Sequence, residues 1–109
     1  MSRDTDDRPF YMLNALWFVE GGAEIYQEYI RRAGPIVAEL GGSMATPGLV
    51  PEAALIGEFD ADLVFFVKWP STRAFEALLA REDYGEVRQL RKKAISKSLL
   101  IRCYEAPRA

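Results

Sequence analysis

The chain has 109 residues, half of them apolar, 28% charged and 12% aromatic, a composition that supports one packed domain and argues against disorder. It contains no histidine, which removes the commonest general base and metal ligand and excludes histidine-ligated haem. Its net charge of −2 excludes a global basic field for nucleic acid, and its single cysteine, Cys103, excludes an internal disulfide and suits a reducing cytoplasm.

Residues 1–9 read as a flexible tail, polar and acidic, with no apolar segment behind a basic start, so no secretory signal is expected. The longest apolar run, Tyr11 to Val19, is broken by Asn14 and is far too short to span a membrane. Phe10 to Val19 reads as a first strand, followed by a turn at Glu20-Gly21-Gly22. From Glu24 to Leu40 the apolar residues Tyr26, Tyr29, Ile30, Ala33, Val37 and Leu40 recur with helical spacing. Gly34-Pro35 predicts a kink or break, because proline removes a donor and crowds the carbonyl of Arg31. Gly41-Gly42 ends the helix.

After a loop at 46–51, Ala53 to Phe59 reads as a second strand. A turn at Asp60-Ala61-Asp62 joins it to a third, Leu63 to Trp69, as an antiparallel hairpin. Ser71 caps a helix running to about Arg81, with Phe75, Leu78 and Leu79 inward. Asp83 and Glu86 have capping-box spacing and restart a helix whose inner face is Tyr84, Val87, Leu90, Ala94 and Ile95. Ser98 to Glu105 is the fourth strand, and 106–109 a trailing tail. The domain over 10–105 is thus α+β, with the ferredoxin-like order β-α-β-β-α-β: an antiparallel four-stranded sheet with both helical segments on one face.

Such a sheet should alternate apolar and polar residues. The first strand does not: Tyr11, Leu13, Ala15, Trp17 and Val19 lie on one face, Phe10, Met12, Asn14, Leu16 and Phe18 on the other. The third and fourth strands repeat the pattern. A naked apolar face of this size is an aggregation hazard, and the economical cover is a second copy, sheet against sheet, burying about 800 Å² per partner. A homodimer through the sheet face is therefore expected.

Met12-Leu13-Asn14, then Gly21-Gly22-Ala23-Glu24 before Tyr26-x-x-Tyr29, Pro35, Gly41-Gly42, Gly57, Trp69-Pro70-Ser71, and Asp83-Tyr84 followed by Arg91 form an ordered set. In that order they resemble the domain-of-unknown-function 1330 family of the dimeric α/β-barrel superfamily, over about residues 10–105. The resemblance implies two ferredoxin-like sheets packed into a shared barrel with helices outside. It implies no settled activity. The superfamily includes cofactor-free monooxygenases, haem-degrading enzymes, muconolactone isomerase-like and chlorite dismutase-like proteins, and members without a known reaction. The chain departs from the family pattern at Arg81-Glu82-Asp83-Tyr84 and in the loop at 46–52.

Several residues are candidates for chemistry. Asn14, the only amide in its strand, needs a partner: either a ligand oxygen or a neighbouring backbone group. Tyr26 and Tyr29, on the inner stripe of the first helix, either orient a ligand or pack with hydroxyls at an edge, and are poor bases at neutral pH. Trp17 and Trp69 either stack on a planar ligand or pack the core and dimer. Arg91 lies one step from the apolar stripe of its helix, where it can fork onto a ligand carboxylate or pair with Glu58 or an acid of the first helix. Cys103 reads as a small apolar strand residue, and Asp60 and Asp62 as turn residues, so no metal site is expected. Seven of the fourteen bases fall within 88–109.

By analogy with the superfamily, the chain is expected to be a cytoplasmic homodimer that binds a small aromatic or carboxylated metabolite. Asn14, Tyr26, Tyr29, Trp69 and Arg91 are the candidate ligand residues; no cofactor, metal or membrane partner is implied. An enzymatic role would leave proton transfer to Glu58 or to the substrate. The alternatives are a non-catalytic dimerisation or interaction module and weak RNA binding through the basic helix 88–97.

Overall fold

The computed structural model describes residues 7–107; residues 1–6 of the expected leading tail and 108–109 of the trailing one lie outside the described residues. Strand β1 (Phe10–Phe18) leads through Gly21-Gly22 into helix α1 (Gly22–Glu39), a two-residue strand β2 (Ser43–Met44) and strand β3 (Leu63–Trp69). Helices α2 (Thr72–Ala80) and α3 (Glu82–Ala94) and strand β4 (Ile95–Cys103) complete the fold. The sheet order is β2-β3-β1-β4, and every pairing is antiparallel. This is the ferredoxin-like α+β plan, with all three helices against one face of the sheet.

The central strand is the most apolar one, flanked over most of its length by β3 and β4. Its helix-facing side contributes Phe10, Met12 and Leu16 to the core, joined there by Phe65 and Trp69 of β3 and by Tyr26, Tyr29, Ala33 and Ile36 of α1. The expected break at Pro35 does not occur: α1 runs unbroken through it. Pro35 and Arg31 are both exposed, so water can satisfy the freed Arg31 carbonyl.

The expected second strand at 53–59 is a correction. That segment has no regular structure; Leu55 and Ile56 are 94% and 97% exposed, and Gly57 is left-handed with φ 87°, which breaks a two-residue period. The place beside β3 is taken instead by Ser43 and Met44, opposite Lys68 and Val67, with one further bridge from Leu49 to Val64. Gly41 explains the choice. Its left-handed backbone (φ 91°) lies against the ring of Pro70, where an added Cβ would come within 2.9 Å. The chain leaving α1 is thereby set down at once beside the end of β3.

Ser71 caps α2 as expected, its Oγ accepting from the Ala74 N–H at 3.0 Å. The capping box at Asp83 does not form: the Asp83 carboxylate accepts both arms of the Arg81 guanidinium, at 3.0 and 2.7 Å, and Arg81 also reaches Glu39 at the end of α1. Strand β4 begins directly at Ile95, earlier than expected, because the Ala94 carbonyl already accepts the Val19 N–H at 2.9 Å.

The same Ala94 carbonyl lies against Gly22, where an added Cβ would collide with backbone. Gly22→Ala is expected to lose about 2 kcal/mol or more of stability, read as a lower urea midpoint. Gly85→Ala, on α3 with nothing within 4 Å of its Cβ position, is expected to gain about 0.5–1 kcal/mol.

Candidate functional site

Between the helices and the sheet lies a cavity of about 410 Å³. Met12 and Asn14 of β1, Phe65, Val67 and Trp69 of β3, and Leu100 of β4 form its floor; α1, α2 and α3 form its roof. The pleat accounts for the floor, since alternate residues of paired strands point to the same side: Asn14 stands opposite Phe65 on one flank and Leu100 on the other. Asn14, Tyr26, Tyr29, Trp69 and Arg91, five residues from four separate elements, all border this one space.

Asn14 is 7% exposed and, among the described residues, the only one in the buried polar and charged set. Its Nδ2 donates to the carbonyl of Met12 at 3.2 Å, so one hydrogen of the amide is engaged locally. Tyr26 stacks on Tyr29, ring centroids 5.1 Å apart, and Tyr29 meets Tyr84 edge-on at 6.3 Å. The hydroxyls of Tyr29 and Tyr84 are hydrogen-bonded at 2.8 Å. Tyr84 was legible only as a core residue of the last helix. The signal pointing further was its hydroxyl on an inner stripe, which obliges a partner when buried. Trp69 is buried and packs its ring edge-on against Phe75 at 5.5 Å, forming a flat wall.

Arg91 reaches the cavity from α3, and its Nη2 is buried without a hydrogen-bond partner. The expected alternative pairings do not occur. Glu58 lies exposed in the 50–60 loop and outside the cavity lining, which also removes it as a base for chemistry there. Glu28 of α1 is taken by Arg31 and Arg32, and Glu39 by Arg81. Arg88, one turn earlier on α3, also borders the cavity, and no aspartate or glutamate does. The space is thus apolar, with a positive bias at one wall.

Burial pushes the Tyr26 hydroxyl up to about 12, against the opposing pull of the Arg91 charge. Burial drives Tyr29 higher still, reinforced by the neighbouring Tyr84. Both are therefore neutral hydrogen-bonding groups at physiological pH. Trp17, by contrast, lies on the opposite face of the sheet, where its Nε1 donates to Asp60 at 2.8 Å and Lys97 sits 4.3 Å from its ring. Cys103 is also on that face, paired across from Tyr11. Among the described residues no group of three or more potential metal ligands occurs, and no helix is long and apolar enough to cross a membrane.

The sequence profile of a domain of unknown function, DUF1330, matches residues 15–102. A comparison with curated proteins finds no match. Among solved structures, a protein of unknown function from Rhodopseudomonas palustris is 30% identical; the alignment covers 94% of this chain and 85% of that one, with a TM-score of 0.83. A dimeric ferredoxin-like protein of unknown function from Jannaschia is 13% identical, covering 89% and 99% of the two chains, with a TM-score of 0.66. A dimeric protein of unknown function with a ferredoxin-like fold, from Bacteroides fragilis, is 5% identical over 90% and 96%, with a TM-score of 0.61. The likeness to the last two is one of fold.

The tyrosine cluster gives a pH dependence of known sign. A phenol whose folded pKa is raised contributes stability that is complete below its unfolded value and disappears as pH rises through the folded value. For Tyr26 that window runs from 10.0 to about 12. Denaturant midpoints are expected to fall across this window, and the fall is expected to be shallower in Tyr26→Phe. Equal slopes in the two proteins would contradict the assignment.

Proposed function

The chain belongs to the family of the domain of unknown function DUF1330, and on that premise we propose that it is a homodimer in which each protomer binds a small organic carboxylate with an aromatic or other apolar body. The observation that carries this reading is the buried, unpartnered Nη2 of Arg91 at the wall of an apolar cavity that no protein carboxylate borders. Leaving a buried donor unsatisfied costs about 1–3 kcal/mol, and more when it is charged; a ligand carboxylate would relieve that cost with a strong charge-assisted bond. The volume suits a small metabolite: at about 30 Å³ per liquid water, it equals roughly fourteen waters. Asn14, Tyr26, Tyr29 and Trp69 supply the remaining polar and aromatic contacts. Among the lining residues there is no carboxylate or histidine to act as a general base, so the reading rests on binding.

The dimer is supported from the other side of the sheet. Leu13, Phe66, Leu99 and Ile101 come together there by register, with Leu99 and Ile101 39% and 45% exposed, and no helix of the same chain covers them. Leu55 and Ile56, on the loop beyond, add two further exposed aliphatics. The dimeric neighbours of like fold favour a second copy as the cover. A reducing, cytoplasmic setting is part of this reading, supported by the lone Cys103.

The binding test is a thermal-shift screen of aromatic and aliphatic carboxylates alongside their amides. A ligand at 100 times its Kd stabilises by about 2.7 kcal/mol, a shift of roughly 10 °C for a chain of this size. Carboxylates are expected to give it and amides not. Arg91→Met, which removes a cation with one buried unsatisfied nitrogen, is expected to be at least as stable as wild type without ligand and to lose the response. A variant that is strongly destabilised yet responds normally would assign Arg91 to structure alone.

For the dimer, Ile101→Glu is expected to give a particle of single-chain mass by light scattering. Wild type at that mass under micromolar conditions would remove the dimer.

A further inference from the structure

The hydrogen-bond donors of the cavity stand on two layers. On the helical layer are the free Nη2 of Arg91 and the Tyr29–Tyr84 pair. Two hydroxyls hold two hydrogens, and their mutual bond consumes one. The other finds no protein acceptor among the described residues, and burial raises Tyr29 far enough that its hydroxyl stays neutral at physiological pH. On the sheet layer is Asn14. The Met12 carbonyl only accepts, so the NH₂ of the Asn14 amide, rather than its oxygen, must face it. That leaves a second N–H on the cavity floor with no acceptor among the described residues. Both layers therefore present spare donors, and the lining contains no carboxylate to receive them.

A carboxylate held by Arg91 and the tyrosine pair is anchored to the helices. Asn14 stands on the opposite layer, in the sheet, and its second N–H is not used by the protein among the described residues. The donor on the floor calls for a separate acceptor further along the ligand. A hydroxyl there would have to turn its own hydrogen onto the Asn14 Oδ1, the acceptor of the same amide. A carbonyl accepts and donates nothing.

We propose that the ligands are oxo carboxylates: the carboxylate is held by Arg91 and the Tyr29–Tyr84 pair, a ketone oxygen accepts from the Nδ2–H of Asn14, and the aryl or alkyl remainder lies against Trp69, Phe65 and Phe75. This inference rests on the carboxylate reading above and narrows it. Asn14 is then the specificity-determining residue, since a site built to donate to a ligand oxygen discriminates against the analogue that lacks it.

The test uses matched acids differing by the ketone alone: 4-oxo-4-phenylbutanoate against 4-phenylbutanoate, and phenylpyruvate against 3-phenylpropanoate, titrated calorimetrically into the full chain. In at least one pair the oxo acid is expected to bind about tenfold tighter, the worth of one good hydrogen bond. Asn14→Leu is expected to abolish that preference, bringing the two members of each pair to the same affinity. Tyr84→Phe is expected to weaken both members of the pair together. If wild type binds the members of both pairs equally, the oxo assignment is wrong and the carboxylate reading stands. If it binds none of the four acids, both fail. If Asn14→Leu retains the preference, the ketone is read elsewhere and the role given to Asn14 is overturned. Should Asn14→Leu not fold, the wild-type comparison alone decides the ligand class.

Discussion

A sheet has two faces, and this chain has helices for only one of them. The architecture follows from that inequality. The central strand is apolar on both sides because both sides are to be kept from water, and the three helices lie over the face that holds Met12, Asn14 and Leu16. Hydrophobic burial is non-directional and scales with area, so the uncovered face, with Leu13, Phe66, Leu99 and Ile101, carries a comparable drive toward contact. The covered face is not closely filled. Its aromatic rings, Tyr26 on Phe18 and Trp69 on Phe75, brace roof against floor and leave a space between them.

That space is unusual in what it lacks. Interiors normally pair their polar groups, and cations near the core normally find a carboxylate. Even at the surface of this chain cations find one: Arg31 and Arg32 share Glu28, and Arg81 takes Glu39 and Asp83. Arg91 is the contrast, a guanidinium with one nitrogen buried and unmatched. An arrangement that costs stability while the site is empty is the expected signature of a site shaped for an occupant.

Much of this was legible in the residues. Strands β1 and β3 announce themselves through dense apolar runs, and α1 through its spacing, because burial dictates those patterns directly. The five candidate ligand residues converge on one cavity because each is a polar or aromatic group on an inward stripe, and inward stripes of one small domain share one interior. What failed was local reading of Ala53 to Phe59: its Leu-Ile pair looks like a strand, but apolar residues also occur where a loop projects outward. The true edge strand, Ser43-Met44, is too short and too polar to be recognised, since it is positioned by the approach of Gly41 to Pro70 rather than by its own composition. The pairing of Tyr29 with Tyr84, 55 residues apart, is a tertiary fact of the same kind, and so is the failure of Arg91 to meet Glu58.

Helix α1 ends on Glu39 with no basic residue in its last turn, so a negative side chain sits at the pole where the backbone carbonyls are already negative. The missing counter-charge comes from the neighbouring helix pair: Arg81, at the junction of α2 and α3, reaches Glu39 at 3.1 Å. The last turns of α1 and α2 both border the cavity, through Val37, Ala38, Leu78 and Leu79. Two helix ends that border the cavity are therefore joined by an electrostatic strut in contact with solvent, which dissolved ions screen, while the greasy floor beneath is indifferent to them. Ionic strength is thus the natural dial on the tie between these two helix ends.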